Sequence, residues 1–186
     1  MPLLCAGIIG FRSLRVAGVQ PDDRVGLFGF GSSAMLAIPI LQHWGCEVYI
    51  VTRREAHQAT ANRLGATWVE KEGVKPPVKL DRAVTFAPAG KVVVDALTSL
   101  RKGGVVAINA IHSDQMPAFD YDKLLWGERK IRSVANMTRS NARDFLTLAR
   151  DIKIQPRVSV FPLTDANKAL LAVKEETENG SAVIVP

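Results

Sequence analysis

Strand-like and helix-like stretches alternate almost from end to end of this sequence, and that alternation leaves few folds open. RVGLFGF (24–30) reads as a buried strand. SAMLAIPILQHWG has apolar residues at helical spacing and stops at Gly45, with Pro39 expected to bend the helix. CEVYIVT (46–52) is a second strand, REAHQATANRLG a helix ended by Gly65, and ATWVE a short third strand. Beyond the turn-rich KEGVKPPVK come the strand DRAVTFA (81–87), the helix KVVVDALTSLR and the strand GGVVAINAI (103–111). FDYDKLLWGE is a short helix, RKIRSVAN an alternating strand, and NARDFLTLARD (141–151) a helix. QPRVSVFPL, TDANKALLAVKEET and SAVIVP form a strand–helix–strand tail. Strands joined by single helices pair in parallel through right-handed crossovers. The expected class is therefore α/β, a doubly wound parallel sheet with a short C-terminal strand–helix–strand appendage.

The chain's bulk properties exclude several functions. Its 186 residues, 47% apolar and 23% charged, suit one soluble domain with an appendage. No apolar run approaches the roughly 20 residues of a membrane span, so no membrane partner is expected. MPLLCAGIIGF is apolar but lacks a basic leader and a polar cleavage region, which argues against a signal peptide. The net charge of +6 is scattered, with no basic run interleaved with aromatics. It reads as a solvated surface, not a nucleic-acid footprint. Cys5 and Cys46 lie in apolar surroundings and form no CxxC, which suits a reducing cytoplasm.

The chemistry is concentrated in GFGSSA, between the first strand and the first long helix after it. Gly29 permits a tight turn, Gly31 lets backbone approach a pyrophosphate, and Ala34 takes the third small position. The amides of Ser32, Ser33 and Ala34 then face phosphate from a helix N-terminus. The strand–turn–helix context makes this a dinucleotide-binding Rossmann turn, where glycines alone would mark only a turn. At the end of the second strand, NAD binders usually place a carboxylate on the adenosine ribose. This chain has Thr52, Arg53 and Arg54 there. A hydroxyl and guanidinium groups satisfy a 2′-phosphate that a carboxylate would repel, so NADP(H) is expected over NAD(H). Two solvated arginines opening a helix would sit slightly against its dipole.

Other catalytic patterns are missing: no Tyr-x-x-x-Lys, GxSxG, HExxH or paired-cysteine zinc cluster occurs. His43 and His57 fall on predicted helices as surface or packing residues. His112 follows a strand at the sheet's carboxyl edge, where ligands bind in open α/β folds.

Taken together, PLLCAGIIGFRSL, GLFGFGSSA, LGAT, LRKGGVVAINAI, LLWGERKIRSVAN and VFPLTDANKALLAV resemble the medium-chain, zinc-dependent alcohol dehydrogenase family. The resemblance spans essentially the whole chain. It implies that Gly29, Gly31, Ser32 and Ser33 hold pyrophosphate, and that Thr52 and Arg53 meet the adenosine ribose. It sets the backbone around Phe86–Ala87 and Asn109, Ala110 and Ile111 beside the nicotinamide. It also makes Cys5 of LLCAG one catalytic zinc ligand. In such enzymes an N-terminal catalytic domain supplies a further Cys and a Gly-His-Glu motif, and neither is present in these residues. The expectation is residues 1–152 as the NADP(H)-binding domain and 153–186 as a remnant of the catalytic domain. Apolar surface would be exposed from Leu3 to Phe11 and in the tail. The implied reaction is hydride transfer between NADP(H) and a small-molecule alcohol or aldehyde, with zinc in the complete enzyme but not in this chain. The implied partner is a second copy, paired through strand 130–136. A non-catalytic dinucleotide-binding module remains an alternative. So does a methyltransferase, although that reading lacks an acidic residue after the second strand and a final antiparallel hairpin.

Overall fold

The computed structural model describes residues 2–175 and 180–186. Helix α1 (Ala6–Ala17) precedes the sheet and ends at Gly18, whose φ of 71° makes a left-handed cap. The elements then run β1 (Arg24–Phe28), α2 (Ser32–His43), β2 (Glu47–Val51), α3 (Glu55–Arg63), β3 (Trp68–Glu70) and β4 (Leu80–Thr85). They continue with α4 (Gly90–Ser99), β5 (Leu100–Ile108), α5 (Tyr121–Leu124), β6 (Lys130–Ser133) and α6 (Arg139–Asp151). The tail is β7 (Val158–Pro162), α7 (Ala166–Lys174) and β8 (Ser181–Val185). The predicted helix TDANKALLAVKEET extends onto Glu176 and Thr177, which lie outside the described residues.

Six parallel strands form the main sheet in the order β3-β2-β1-β4-β5-β6. The order reverses between β1 and β4, and the doubly wound prediction holds. β7 and β8 form a separate parallel pair, with α7 as their crossover. The main sheet is apolar on both faces because helices cover both. Within β2, Val48 and Ile50 join the cluster under α1, α2 and α6, while Tyr49 and Val51 join the one under α4. Phe11, Leu14, Ile38 and Phe145 fill the first cluster, and Leu80, Val93, Leu97 and Leu100 the second.

Several local expectations change. Ile8 and Phe11 are buried against α2 and α6, so the apolar opening does not expose Leu3 to Phe11 as a stripe. Leu4 remains half exposed, and the tail does expose Val160, Leu163 and Leu170. α2 continues through Pro39 to His43, although Pro39 donates no amide to the turn before it. The edge strand is four residues long, not eight. The chain leaves the sheet at Val134, and Asn136 has a φ of 55°. β5 begins at Leu100 and ends at Ile108, which puts Asn109, Ala110 and Ile111 in the loop beyond it. Among the described residues, no helix is long and apolar enough to cross a membrane.

Candidate functional site

The carboxyl ends of the strands finish nearly level because the ladder extends just past each of them. Gly29 N donates to Val51 O at 2.8 Å, Phe86 N to Phe28 O at 2.7 Å, and Asn109 N to Thr85 O at 2.9 Å. Thr52 N donates to Glu70 O at 3.0 Å and Val134 N to Ile108 O at 3.0 Å. The residues that follow each strand therefore rise together along one edge, at the place where the strand order reverses. Open α/β sheets present their ligand crevice at such a switch point.

At the centre is the glycine turn. Gly29 has a φ of 89°, and a Cβ there would stand 2.7 Å from Ala87 N. Both the turn's handedness and the nearness of the chain beyond β4 require glycine. Gly31 differs: its φ is −118°, and a Cβ would meet nothing within 4 Å. Packing gives no reason for a glycine there, whereas a ligand pressed against the backbone would. Gly31 is the N-cap of α2 without a side-chain cap, and the first helical bond is Met35 N to Gly31 O at 3.0 Å. That leaves the amides of Ser32, Ser33 and Ala34 without intrahelical partners. Ala34 is fully buried, and Gly10 of α1 lies so close to Ser33 that a Cβ would stand 2.8 Å from its carbonyl oxygen. The small residues of α1 thus let two helices approach at the start of α2.

Two cavities open on either side of this turn and share Gly31, Phe86 and Pro88. The first, about 280 Å³, is lined by Gly29, Thr52, Arg53, Arg54 and Ala87 together with Phe30, Met35, His57, Glu72, Val173 and Gly180. The second, about 980 Å³, is lined by Ser32, Ser33, Ala34, Asn109, Ala110, Ile111 and Cys5, and by Ile9, His112 and Ser133–Met137. Every residue that the sequence analysis set against the cofactor, and Cys5 with them, lies on one cavity or the other. Thr52 is buried, Arg53 exposed and Arg54 half-buried, so the basic charge is at the first cavity's mouth. Ile111 is 95% exposed. Its loop is tied down by Asp114, whose carboxylate accepts from Gly90 N at the start of α4.

Four features of the site were not visible in the sequence. His57 lines the first cavity and packs edge-on against Phe30, with centroids 6.0 Å apart and planes at 62°. The histidine does face its helix's surface, but that surface is the cavity wall. Glu72 stands across from Arg53, with Nε to Oε1 at 3.8 Å. Val173 and Gly180 bring the tail to the same cavity. The hydroxyls of Ser32 and Ser181 share a hydrogen bond at 2.5 Å, which fastens β8 to the start of α2.

The two cysteines part ways: Cys46 fits the apolar reading and Cys5 does not. Cys5 is exposed at the rim of the larger cavity, just ahead of α1. Cys46 is buried, donates to Gln20 O at 3.4 Å, and has its thiol pushed up by burial. Among the described residues no group of three His, Cys, Asp or Glu side chains could hold a metal ion. A catalytic zinc takes three protein ligands, so the described residues do not fit one.

No protein-family model matches the chain. Its curated relatives are alcohol dehydrogenases. It is 40% identical over 184 residues to the "Probable alcohol dehydrogenase AdhA" of Mycobacterium tuberculosis, covering 99% of this chain and 53% of that protein. Among solved structures, it superimposes on acetophenone reductase from Geotrichum candidum in complex with NAD with a TM-score of 0.88, at 18% identity, covering all of this chain and 55% of that one. CAD from Helicobacter pylori complexed with NADP(H) gives 0.83 at 22% identity, covering 98% and 53%. The chain spans about half the length of the curated relatives it matches. Among the described residues every strand pairing is parallel and no final antiparallel hairpin occurs, which sets the methyltransferase reading aside.

Proposed function

We infer that this chain is the nicotinamide-dinucleotide-binding part of an alcohol dehydrogenase of the medium-chain, zinc-dependent type. The observation that carries the inference is the pair of cavities meeting at Gly31, with a glycine that packing does not require at the junction. Pyrophosphate lies there against the amides of Ser32, Ser33 and Ala34, where the helix dipole favours an anion. The adenosine half enters the smaller cavity, its ribose near Thr52 and its 2′-phosphate near Arg53 and Arg54. The nicotinamide half enters the larger cavity beside Phe86, Ala87, Asn109, Ala110 and Ile111.

A nicotinamide dinucleotide held there would supply the hydride chemistry that interconverts an alcohol and an aldehyde. The chain's own part is to fix the cofactor by its phosphates and wall off one side of the ring. Among the described residues, those around Cys5 do not complete a metal site. That same shortage favours one second reading, a dinucleotide-binding module without catalysis in these residues. Residues 1–152 form the binding domain, and 153–186 a segment whose exposed apolar face suits packing against further polypeptide. A cytoplasmic setting accords with two free cysteines.

Titration of the intrinsic fluorescence of Trp44, Trp68 and Trp126 should show NADPH binding more tightly than NADH. Equal affinities, or tighter NADH binding, contradict the NADP(H) assignment.

The chain also pairs with its own copy through β6. Among the described residues that strand bonds only to β5 and leaves its other edge open, and the tract from Lys130 to Asn136 is where the family resemblance puts the interface. Light scattering at tens of micromolar should report a dimer, and a monomer would count against the edge pairing.

A further inference from the structure

Glu72 lies in the loop after β3, two residues beyond the strand's end. The bond from Thr52 N to Glu70 O fixes the ends of β2 and β3 in register, so the segments carrying Arg53 and Glu72 emerge side by side. Their side chains meet at 3.8 Å on the wall of the smaller cavity, beside Thr52, Arg54 and His57. The two side chains are 67% and 37% exposed, and pairs so open to water contribute little to stability. The fold therefore gains little from this carboxylate. Its effect falls on whatever anion enters the cavity.

A nucleotide 2′-phosphate carries between one and two negative charges near neutral pH, whereas a ribose 2′-hydroxyl carries none. Glu72 acts against the phosphate in two ways. It engages the guanidinium that the phosphate needs, and it places a like charge beside the incoming group. Neither effect reaches a neutral hydroxyl. We propose that Glu72 is a specificity-determining residue that restrains Arg53 and narrows the chain's preference for 2′-phosphorylated over unphosphorylated nucleotides. This proposal rests on the smaller cavity being the adenosine end of a dinucleotide site. Its practical content is a chain that discriminates less sharply than its two arginines alone would imply.

Calorimetry on the 186-residue protein, with 2′,5′-ADP and 5′-AMP as probes, tests the assignment. Glu72→Gln should tighten 2′,5′-ADP about three- to tenfold at low salt while moving 5′-AMP by less than about twofold. The gain should shrink in an Arg53→Gln background, because part of it acts through Arg53, and it should fade in high salt. A purely structural role for Glu72 would shift both probes together. An unchanged ratio, or equal shifts for both probes, overturns the proposal while leaving the dinucleotide site standing. If the unsubstituted protein binds neither probe nor NADPH, the site reading falls and the proposal with it.

Discussion

Arg53→Asp should reverse the nucleotide preference, weakening NADPH roughly a hundredfold while leaving NADH unchanged or tighter. The substitution removes a charge-assisted donor from the mouth of the smaller cavity and replaces it with an acceptor that repels phosphate. The new carboxylate would also face Glu72, whose partner it displaces, so the cavity's rim turns from basic to acidic. An unphosphorylated ribose loses nothing, since the Thr52 position is retained and an aspartate accepts hydrogen bonds from ribose hydroxyls. Because Arg53 is exposed, the fold should tolerate the change, and thermal melting of the variant should match that of the parent. Titration of both nucleotides against both proteins reads the ratio directly. A common loss for NADPH and NADH would mean that Arg53 does not meet the 2′-position.

Purified as these 186 residues, the protein should hold no stoichiometric zinc and show no NADP⁺-linked oxidation of ethanol or benzyl alcohol. Zinc affinity depends on several ligands being pre-placed. Cys5 is exposed at the rim of the larger cavity, and His112 shares that cavity without a third partner among the described residues. Cys46 is buried just before β2, its thiol pushed up by burial and bonded to Gln20 O. His57 lines the smaller cavity instead. The larger cavity is also open to solvent at Ile111, so water reaches the place where a hydride would move. Elemental analysis beside a cofactor-linked assay decides the matter. Bound zinc that is lost on Cys5→Ser, together with turnover, would show that these residues form a complete centre.

The strands and the glycine turn were legible in the sequence because their signals are local. RVGLF runs into GFGSSA, and no residue distant in sequence is needed to read it. The residues after each strand could be placed together because a parallel sheet sends every carboxyl end to one edge. Glu72 escaped notice for the opposite reason. It reads as one acid in a turn, and only the β2–β3 pairing brings it to Arg53. His57 was assigned correctly to a helix, yet helical spacing does not say which surface becomes a wall. The edge strand was read too long because RKIRSVAN alternates as a strand throughout, while β5 offers it partners only from Val105 to Ile108. The tract from Leu3 to Phe11 was expected to be exposed, but from Gly7 and Ile8 onward α1 meets its neighbours and buries one face.

The hydroxyl bridge between Ser32 and Ser181 joins positions 149 residues apart in sequence. During synthesis the glycine turn and its strand leave the ribosome long before β8 exists. For most of that time the amides of Ser32 and Ser33 face outward without the tail beside them. Loop-closure cost grows only logarithmically with length, so the late arrival adds little to the equilibrium. Its effect is on timing. Contacts this distant form slowly, after the local helices and neighbouring strands are in place. The pocket that closes around Gly180 and Val173 is therefore among the last parts of the molecule to mature, and capacity to retain a dinucleotide should trail the recovery of helical signal during refolding.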